Sequence, residues 1–445
     1  MLKSNSTSKY ITSLFLLFSI GFISYGLKRH ETNILLPTFI AAFGFYWWLH
    51  KKSEQLSLKE IFIIGVLCRI ILIPLIPNLS DDVYRFIWDG RLLAQGISPF
   101  EHVPAFYQDS PDHGLVGLNT ELFTKLNSPY YFTVYPPVAQ FIFLISAFMF
   151  PNSILGSIIT IRLFHILADL GVFYFVVKIL KINELNPKLV LLYFLNPLVI
   201  LELTGNIHAE SILLLFLMGG IYFYKTKRHT ISAIFWSLSI ATKLIPLIFL
   251  PLLFFKESWK ERFYFFIPFI VVTILLFLPL YDHHFINGIT SSLSLYFQSF
   301  EFNASIYYLV REIGYMIKGY NIIGTAGIIL ALTSFLSIIT ISIISSIKKW
   351  NIEASLLLIF MAYFLLANTL HPWYIVSILA LSVLLNLRFG VIWTLFIFMT
   401  YAGYTITGFN ENMWVVITEY VITIGLFLYE MKRIDLKEYL NSSYA

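Results

Sequence analysis

The chain has 445 residues, of which 58% are hydrophobic and 12% are charged, and its mean hydropathy is +0.78. A soluble domain could not bury so much apolar side chain, so this composition excludes a water-soluble protein and indicates a polytopic membrane protein. The net charge of +5 comes mostly from lysine and arginine in short connections, where it guides membrane orientation and does not indicate a nucleic-acid partner.

Apolar runs that approach the roughly 20 residues needed to cross a bilayer recur along the whole chain. We predict 11 to 14 transmembrane helices in an all-α membrane fold, with 1–445 as a single integral membrane domain, because lipid leaves such runs no other way to satisfy their backbone. The runs cover 11–27, 33–50, 58–77, 155–180, 188–203, 208–224, 231–254, 264–281, 323–347, 353–369, 371–386, 390–408 and 414–430, with a shorter run at 136–150.

Two connections are long, 78–135 and 282–321, and long connections often carry function. Lysines at 51–59 favour a cytoplasmic position for the preceding connection, so both long loops are predicted to be extracytoplasmic. Simple alternation fails between 136 and 262, which we explain by a half-length or re-entrant 136–150 and a break in 231–254 at Lys243. The acids of the first loop are Asp81, Asp82, Asp89, Glu101, Asp109, Asp112 and Glu121.

The first loop opens with "NLSDDVYRFIWDGRLLAQGISPF", residues 78–100. A helix over 81–95, capped by Ser80, would place Asp81, Tyr84, Arg85, Trp88 and Leu92 on one face and let Asp89 pair with Arg85. An amphipathic helix in the membrane interface would explain the aromatic residues, but not the adjacent carboxylates. Two carboxylates there suit a general base on a sugar hydroxyl and a second group that positions it or binds a cation.

Further polar residues interrupt the apolar sequence. Ionisable groups at membrane depth are costly and usually functional, although a turn reaching the interface would make those near Gly205 ordinary loop residues. Arg162, His165 and Asp169 share one helix face, which a structural ion pair explains as well as a substrate contact. The group near Gly205 consists of Glu202, Asn206, His208 and Glu210.

The C-terminal half adds isolated candidates. Lys243 in "ATKLIP" either snorkels or provides a cation for a lipid-linked phosphate. In the segment "ANTLHPWY", a histidine donor adjoins aromatic rings on which a sugar could stack. The residues are Asn303 and Arg311 in the second long loop, and Asn368, His371, Trp373 and Tyr374 at the start of a helix. Neither a Walker loop nor a zinc-ligand spacing is present.

Four segments, in this order, resemble the GT-C glycosyltransferases that use a polyprenyl-phosphate sugar donor. They are "DDVYRFIWDGRLLAQGISPF", "YFTVYPPVAQFIFLISAFMFPN", "NPLVILELTGNIHAES" and "TKLIPLIFLPLL". The resemblance points to bacterial polyprenol-phosphate-mannose-dependent mannosyltransferases and, more distantly, to the GPI-anchor enzyme that adds the first mannose. It covers residues 58 to about 255, and the C-terminal third only through "HPWY".

The resemblance implies a GT-C core module over 58–281 with a catalytic loop at 78–135, and C-terminal helices over 322–445. It implies inverting transfer of a hexose, expected to be mannose, from polyprenyl phosphate to an extracytoplasmic glycan or lipid-linked acceptor. The family's catalytic carboxylate maps onto Asp81 or Asp82. Residues expected to contact substrate are Arg85, Trp88, Asp89, Arg91, Tyr135, Arg162, Glu202, Asn206, His208, Glu210, Lys243, Asn303, Arg311, His371, Trp373 and Tyr374.

No cofactor is expected, and a divalent cation is not expected to be obligatory. The expected location is a bacterial inner membrane, with the active site on the extracytoplasmic face. A transporter or flippase for a lipid-linked sugar remains an alternative, as does the same enzyme class with a pentose, glucose or aminosugar donor. Clustering of the charges towards one face favours an enzyme, because a transport pathway would spread them along the depth of the bundle.

Overall fold

The computed structural model describes residues 2–108 and 114–433, and the loop acids Asp109 and Asp112 lie outside these ranges. Helices dominate the first half, as the apolar runs predict. Their bounds are α1 Leu2–Gly26, α2 Thr32–Lys51, α3 Leu58–Ile70, α4 Asp82–Leu93, α5 Pro104–Gln108, α6 Thr120–Phe123, α7 Pro137–Met149, α8 Ile154–Ile182, α9 Leu191–Phe194 and α10 Pro197–Val199.

The second half is also helical, apart from a short antiparallel pair of strands. The helices are α11 Glu210–Lys225, α12 His229–Thr242, α13 Leu250–Lys256, α14 Trp259–Phe277, α15 His283–Gln298, α16 Ile306–Lys318, α17 Ile323–Lys348, α18 Ile352–Leu366, α19 Ile375–Leu384, α20 Phe389–Phe398 and α21 Met413–Arg433. The strands are β1 Tyr404–Thr405 and β2 Gly408–Phe409, with Tyr404 opposite Phe409.

Six helices in the described part of the chain are long and apolar enough to cross a membrane. A seventh span results if the bent pair Pro187–Phe194 and Pro197–Gly205 is counted as one, with 54° between its halves. Other predicted runs form shorter or interrupted helices, so the all-α membrane fold is confirmed although several runs are not straight spans. The six are Thr7–Gly26, Thr32–Lys51, Ile154–Ile182, Trp259–Leu280, Ile323–Lys348 and Met413–Lys432.

The two interruptions predicted from the sequence are present. The run at 136–150 forms α7, which has only 13 residues. The run at 231–254 stops at Thr242, and Lys243 has an extended backbone before a 3-10 turn over Ile245–Phe249 leads into α13. A proline at 246 cannot donate a backbone hydrogen bond, and it is placed at the start of this new turn.

Helix α4 begins one residue later than predicted. Its N-cap position is Asp81, whose side chain makes no capping bond, while Ser80 Oγ accepts from the Asp82 amide at 3.3 Å. Every residue from Val83 to Leu92 is buried, so the interpretation as an amphipathic helix lying in the membrane interface is wrong. At Gly90 an added Cβ would lie 2.3 Å from the Phe143 carbonyl oxygen, so α4 and α7 pack backbone against backbone.

The ionisable face of α8 is committed to internal contacts. The buried guanidinium of Arg162 donates to four backbone carbonyls, at Ile73 (2.7 Å), Leu75 (2.5 Å), Thr204 (2.8 Å) and Gly205 (3.0 Å). These carbonyls belong to segments where helices end or unwind, so Arg162 supplies the donors that the backbone there lacks. The structure therefore supports the structural interpretation of this face.

Two neighbours on the same face have internal partners as well. Asp169 forms a fully buried ion pair with Arg69 of α3 at 3.0 Å and accepts from the Tyr193 hydroxyl at 3.0 Å. His165 Nδ1 lies 2.8 Å from Ser211 Oγ on α11. Helix α8 is thus tied by polar contacts to α3, α9 and α11.

Candidate active site

A cavity of about 240 Å³ opens at the N-terminal end of α4. Its walls come from six distant parts of the chain, namely Arg29, the start of α4, the loop segment 127–135, positions 292–302, the "HPW" of 371–373 and the segment 400–404. Six sequence-predicted residues line it: Asp81, Asp82, Arg85, Tyr135, His371 and Trp373. Residues that lie far apart in sequence are therefore brought together around the adjacent carboxylates.

Asp82 presents an ionised carboxylate to this cavity. Its Oδ1 accepts a hydrogen bond from Asn127 Nδ2 at 2.6 Å, and its Oδ2 lies 3.6 Å from His208 Nε2. The side chain is 23% exposed, so a substrate hydroxyl can reach it. Burial works against the charge, but the contact with His208 and the bond from Asn127 hold the pKa of Asp82 below its ordinary value.

His208 lies between two carboxylates. Its Nδ1 is 3.2 Å from Glu202 Oε2, and the ring is almost completely buried. Burial alone would lower its pKa, but Asp82 and Glu202 raise the pKa of His208 to about 9, so the ring is charged at neutral pH. The preceding residue, Ile207, has a φ of +62°, a rare conformation for a β-branched residue, and it turns the chain back towards Glu202.

Glu202 is itself held in place. Asn206 Nδ2 donates to its Oε2 at 2.9 Å, and the Tyr401 hydroxyl donates to its Oε1 at 2.9 Å. The sequence group around Gly205 therefore folds into one network with Asp82. Tyr401 lines the cavity and links this network to its wall.

Stacked rings form one side of the site. The ring of Trp373 stacks on His208, with centroids 3.6 Å apart, and on His371, with centroids 4.5 Å apart. Burial lowers the pKa of His371 to about 3, with further help from the charges of Lys243 and His208, so this imidazole is neutral at pH 7. A neutral donor beside half-buried aromatic rings is suited to a sugar.

Lys243 is paired. Its ammonium forms an ion pair with Glu210 and lies 4.3 Å from the centre of the Tyr374 ring. Glu210, Lys243 and Tyr374 flank the network, but within the described residues they are not part of the cavity lining. The structure thus supports neither simple snorkelling nor an unpaired phosphate-binding lysine.

Asp81 differs from its neighbour. It pairs with Arg29, whose Nη1 lies 2.7 Å from Asp81 Oδ2, and the Arg29 guanidinium also lies 5.3 Å from the centre of the Tyr404 ring. Arg29 and Tyr404 also line the cavity. Of the two adjacent carboxylates, Asp82 is the one joined to the histidine network.

Twelve residues expected to contact substrate lie outside the cavity lining in the described structure. Six of them form or flank the network described above, and the other six are Trp88, Asp89, Arg91, Arg162, Asn303 and Arg311. Asp89 pairs with Arg85 at 2.7 Å, as its spacing predicts, and Arg91 donates to the Gly117 carbonyl at 2.5 Å. Asn303 donates to Glu419, and Arg311 pairs with Glu301 at 2.8 Å. Asp89 therefore positions Arg85, which lines the cavity, and the other three contact residues outside the lining.

Sequence reasoning did not identify Arg29, Asn127, Tyr401 or Tyr404. Arg29 follows Lys28 in a short connection, and basic residues there are usually explained by topology. The other three stand in unremarkable polar or aromatic surroundings, and only the tertiary fold brings them to Asp82. Among the described residues, one group of side chains lies close enough together to hold a metal ion. It consists of His229, Glu257 and Glu261, and it lies outside the cavity lining.

Residues 17–256 match a family model described as "Alpha-(1->6)-mannopyranosyltransferase, N-terminal domain". A stretch of 110 residues is 36% identical to GPI mannosyltransferase 1 of Kluyveromyces lactis, covering 24% of this chain and 27% of that protein. Another stretch, of 146 residues, is 29% identical to alpha-(1->6)-mannopyranosyltransferase B of Corynebacterium glutamicum, covering 33% and 23%. The matched part of the chain thus spans about a quarter of the length of each relative.

Proposed function

This chain belongs to the alpha-(1->6)-mannopyranosyltransferase family, and from that premise we propose that it is a membrane mannosyltransferase with a polyprenyl-phosphate-mannose donor. The acceptor in this proposal is a hydroxyl of a glycan or a lipid-linked sugar. Support for the activity comes from the family and from the two mannosyltransferases to which the chain is similar. The polyprenyl-phosphate donor rests on the sequence resemblance to GT-C enzymes.

The observation that carries the chemistry is the ionised Asp82 carboxylate in the cavity wall. In the proposed step, Asp82 takes the proton of the acceptor hydroxyl while that oxygen attacks the anomeric carbon of mannose. The bond from this carbon to the phosphate oxygen breaks with its electron pair, and polyprenyl phosphate leaves. A single displacement of this kind inverts the anomeric configuration, and Asp82 later releases the proton to solvent.

Two guanidinium groups in the cavity lining, Arg29 and Arg85, are suited to the departing phosphate. Arginine can bind phosphate oxygens with two parallel hydrogen bonds, and a cation placed where negative charge develops lowers the barrier. Arg85 is oriented by Asp89 and by the Tyr131 carbonyl, to which its Nη1 donates at 2.7 Å. In this proposal the arginines take the role of a divalent cation, so transfer has no obligatory metal.

We place the cavity on the extracytoplasmic face of a bacterial inner membrane. The basic residues Lys51, Lys52 and Lys59 lie at the opposite end of α3 from the loop that carries Asp82, and such residues favour the cytoplasmic side. The donor would then be used on the face where the cell envelope is assembled.

The deciding experiment measures transfer of radiolabelled mannose from synthetic polyprenyl-phosphate-mannose to lipid and glycan fractions. It compares membranes that carry the wild type, Asp82→Asn and the adjacent control Asp81→Asn. We expect Asp82→Asn to reduce transfer about 10²- to 10⁴-fold, the usual contribution of a general base. Asp81→Asn should cost much less, because it loosens Arg29 but leaves the contacts of Asp82 with Asn127 and His208 in place.

Wild-type transfer that Asp82→Asn retains, with the variant inserted at normal levels, would refute Asp82 as the base. Transfer only from a glucose, pentose or aminosugar donor would assign a different sugar within the same enzyme class. Movement of a labelled lipid-linked sugar across the bilayer without transfer would replace the enzyme by a flippase.

A further inference from the structure

A second cluster of ionisable side chains lies where two connections meet, away from the cavity. His229 is the first residue of α12, Glu257 stands between α13 and α14, and Glu261 is in the first turn of α14. The side chains of His229 and Glu257 are only 9% and 4% exposed. Since these residues take no part in the proposed transfer, their arrangement needs a separate explanation.

His229 faces both carboxylates but is hydrogen-bonded to neither. Its Nδ1 lies 3.7 Å from Glu257 Oε2, and its Nε2 lies 3.8 Å from Glu261 Oε1. A charge-assisted hydrogen bond would be about 2.7–2.9 Å long. Within the described part of the chain, the buried Nδ1 has no hydrogen-bond partner. Glu257 and Glu261 share a hydrogen bond with each other. Because an unsatisfied buried nitrogen is costly, the gap between His229 and this carboxylate pair points to a missing ligand.

We propose that His229, Glu257 and Glu261 bind a divalent transition-metal ion, with Zn²⁺ as the best match. One ligand atom from each residue lies within 4.8 Å of the others. A tetrahedral ion with bonds of about 2.1 Å would hold such atoms about 3.4 Å apart, a contraction that side-chain rotations can provide. One imidazole nitrogen with two carboxylate oxygens suits Zn²⁺ better than Mg²⁺ or Ca²⁺, which prefer oxygen ligands alone.

Glu261 can serve its helix and the ion together. Its Oε2 accepts from the Ser258 amide at 3.1 Å and from the Ser258 hydroxyl at 2.7 Å in a capping box, which leaves Oε1 directed at His229. Tyr224 donates a hydrogen bond to Glu257 and so orients the second carboxylate. Lys227 acts electrostatically on His229 and Glu257 and opposes a cation. Burial raises the pKa of Glu257 to about 7, so binding of the ion would displace the proton that Glu257 shares with Glu261.

The ion would link the start of α12 to the start of α14. These helices otherwise meet through apolar contacts and a few hydroxyl bonds, such as the one from Thr273 to Ser237 at 3.1 Å. The metal is therefore a clamp for the fold, and mannose transfer does not depend on it directly. This inference is independent of the proposed function.

The test uses the full-length chain, purified without a polyhistidine tag, stripped with a chelator and titrated with Zn²⁺ against a chromophoric competitor. We expect one Zn²⁺ bound per wild-type chain, and binding weakened more than about 100-fold in His229→Gln and Glu261→Gln, since loss of an outer-shell partner alone costs about 10- to 100-fold. Glu261→Gln is the sharper variant because glutamine also completes a capping box, so the helix start is kept. His102→Gln and Glu184→Gln, at partly or fully exposed positions elsewhere, are matched controls and should bind like the wild type.

Thermal unfolding provides a second readout. Zn²⁺ should raise the unfolding midpoint of the wild type and of both controls, but not that of Glu261→Gln. A wild-type chain that binds no Zn²⁺, or equal binding by wild type and Glu261→Gln, would overturn the clamp. The transfer assay separates the two proposals. A wild type that transfers mannose but binds no Zn²⁺ overturns only the clamp. A wild type that binds Zn²⁺ but transfers no mannose overturns only the proposed function.

Discussion

At the level of single residues, the neighbours of His208 determine its protonation state. Two carboxylates flank the ring, one on each nitrogen, and Trp373 covers its face. The charged ring in turn holds Asp82 ionised, so the proposed base is ready at neutral pH without a further proton acceptor. His208 therefore acts through Asp82 and is a positioning residue.

The pH dependence of transfer follows from these pKa values. The pKa of His208 is about 9 in the folded chain and 6.5 in the unfolded chain. The stability that its proton contributes is therefore complete below pH 6.5 and is lost as the pH rises through about 9. Asp82 has a lowered pKa, so its contribution is present above pH 3.8 and is lost only at lower pH. We expect the transfer rate to be constant around neutral pH. It should fall near pH 9, where His208 loses the charge with which it positions Asp82. Both are measured as initial rates at saturating donor.

The matched variants are His208→Gln and the exposed His102→Gln. The first should have a lower rate and no fall near pH 9, whereas the second should keep the wild-type profile. An alkaline fall that survives in His208→Gln would assign the titration to another group.

At the level of helices, the polar face of α8 shows what periodicity can and cannot predict. Spacing alone places Arg162, His165 and Asp169 on one face, which the structure confirms, but spacing does not say whether partners are substrate or protein. The partners are backbone carbonyls, Ser211 and Arg69, all from other segments. A buried arginine becomes a structural group when nearby helices are broken, and those breaks are only partly visible in the sequence.

The breaks themselves illustrate this limit. Lys243 followed by Pro246 predicts an interruption, and the chain is interrupted there. The run 188–203 was predicted as one span, yet it bends by 54° next to Asn196 and Pro197. Asn196 Oδ1 accepts from the Leu198 amide at 2.9 Å and restarts the helix. The Asn-Pro pair indicates such a bend, because the residue before a proline disfavours helical backbone. The high hydropathy of the run nevertheless favoured the prediction of one continuous span.

The ion pair between α3 and α8 gives a stability prediction. Removal of one partner leaves the other charge buried and unpaired, so Arg69→Met should lower the free energy of unfolding by about 3–5 kcal/mol. The double variant Arg69→Met with Asp169→Leu should recover most of this loss. Both are measured by unfolding in detergent micelles.

The control is Lys125→Met, which breaks the exposed pair with Glu121. It should change stability by no more than about 1 kcal/mol. Equal effects of Arg69→Met and Lys125→Met would mean that the buried pair does not hold α3 to α8.

At the level of the whole molecule, the sequence predicted the membrane fold and most of the polar residues around Asp82. Hydropathy over long runs and charges that interrupt them are strong signals, since both are costly in lipid. The sequence did not show which distant segments come into contact. The approach of Arg29 to Asp81, of Asn127 to Asp82 and of Tyr401 to Glu202 depends on how several helices pack together.

The orientation of the whole chain can be tested with its single cysteine, Cys68, which is fully buried. In a Cys68→Ala background, Tyr130→Cys is placed at a site that is 72% exposed in the first long loop, and Lys52→Cys at an exposed site in the preceding connection. We expect a membrane-impermeant maleimide to label Tyr130→Cys on intact cells and Lys52→Cys only after permeabilisation. The opposite pattern would put the Asp82 cavity on the cytoplasmic face.

The four carbonyl contacts of Arg162 also bear on the order in which the chain is assembled. When α8 leaves the ribosome, the segment with Ile73 and Leu75 has already emerged, but Thr204 and Gly205 have not. An arginine in a lone helix would cost up to about 2.5–3.5 kcal/mol on insertion, the value for the helix centre. We therefore expect α8 to enter the bilayer against the end of α3, as a preformed pair that shields the guanidinium, and the later bent segment to close around an arginine that is already half satisfied.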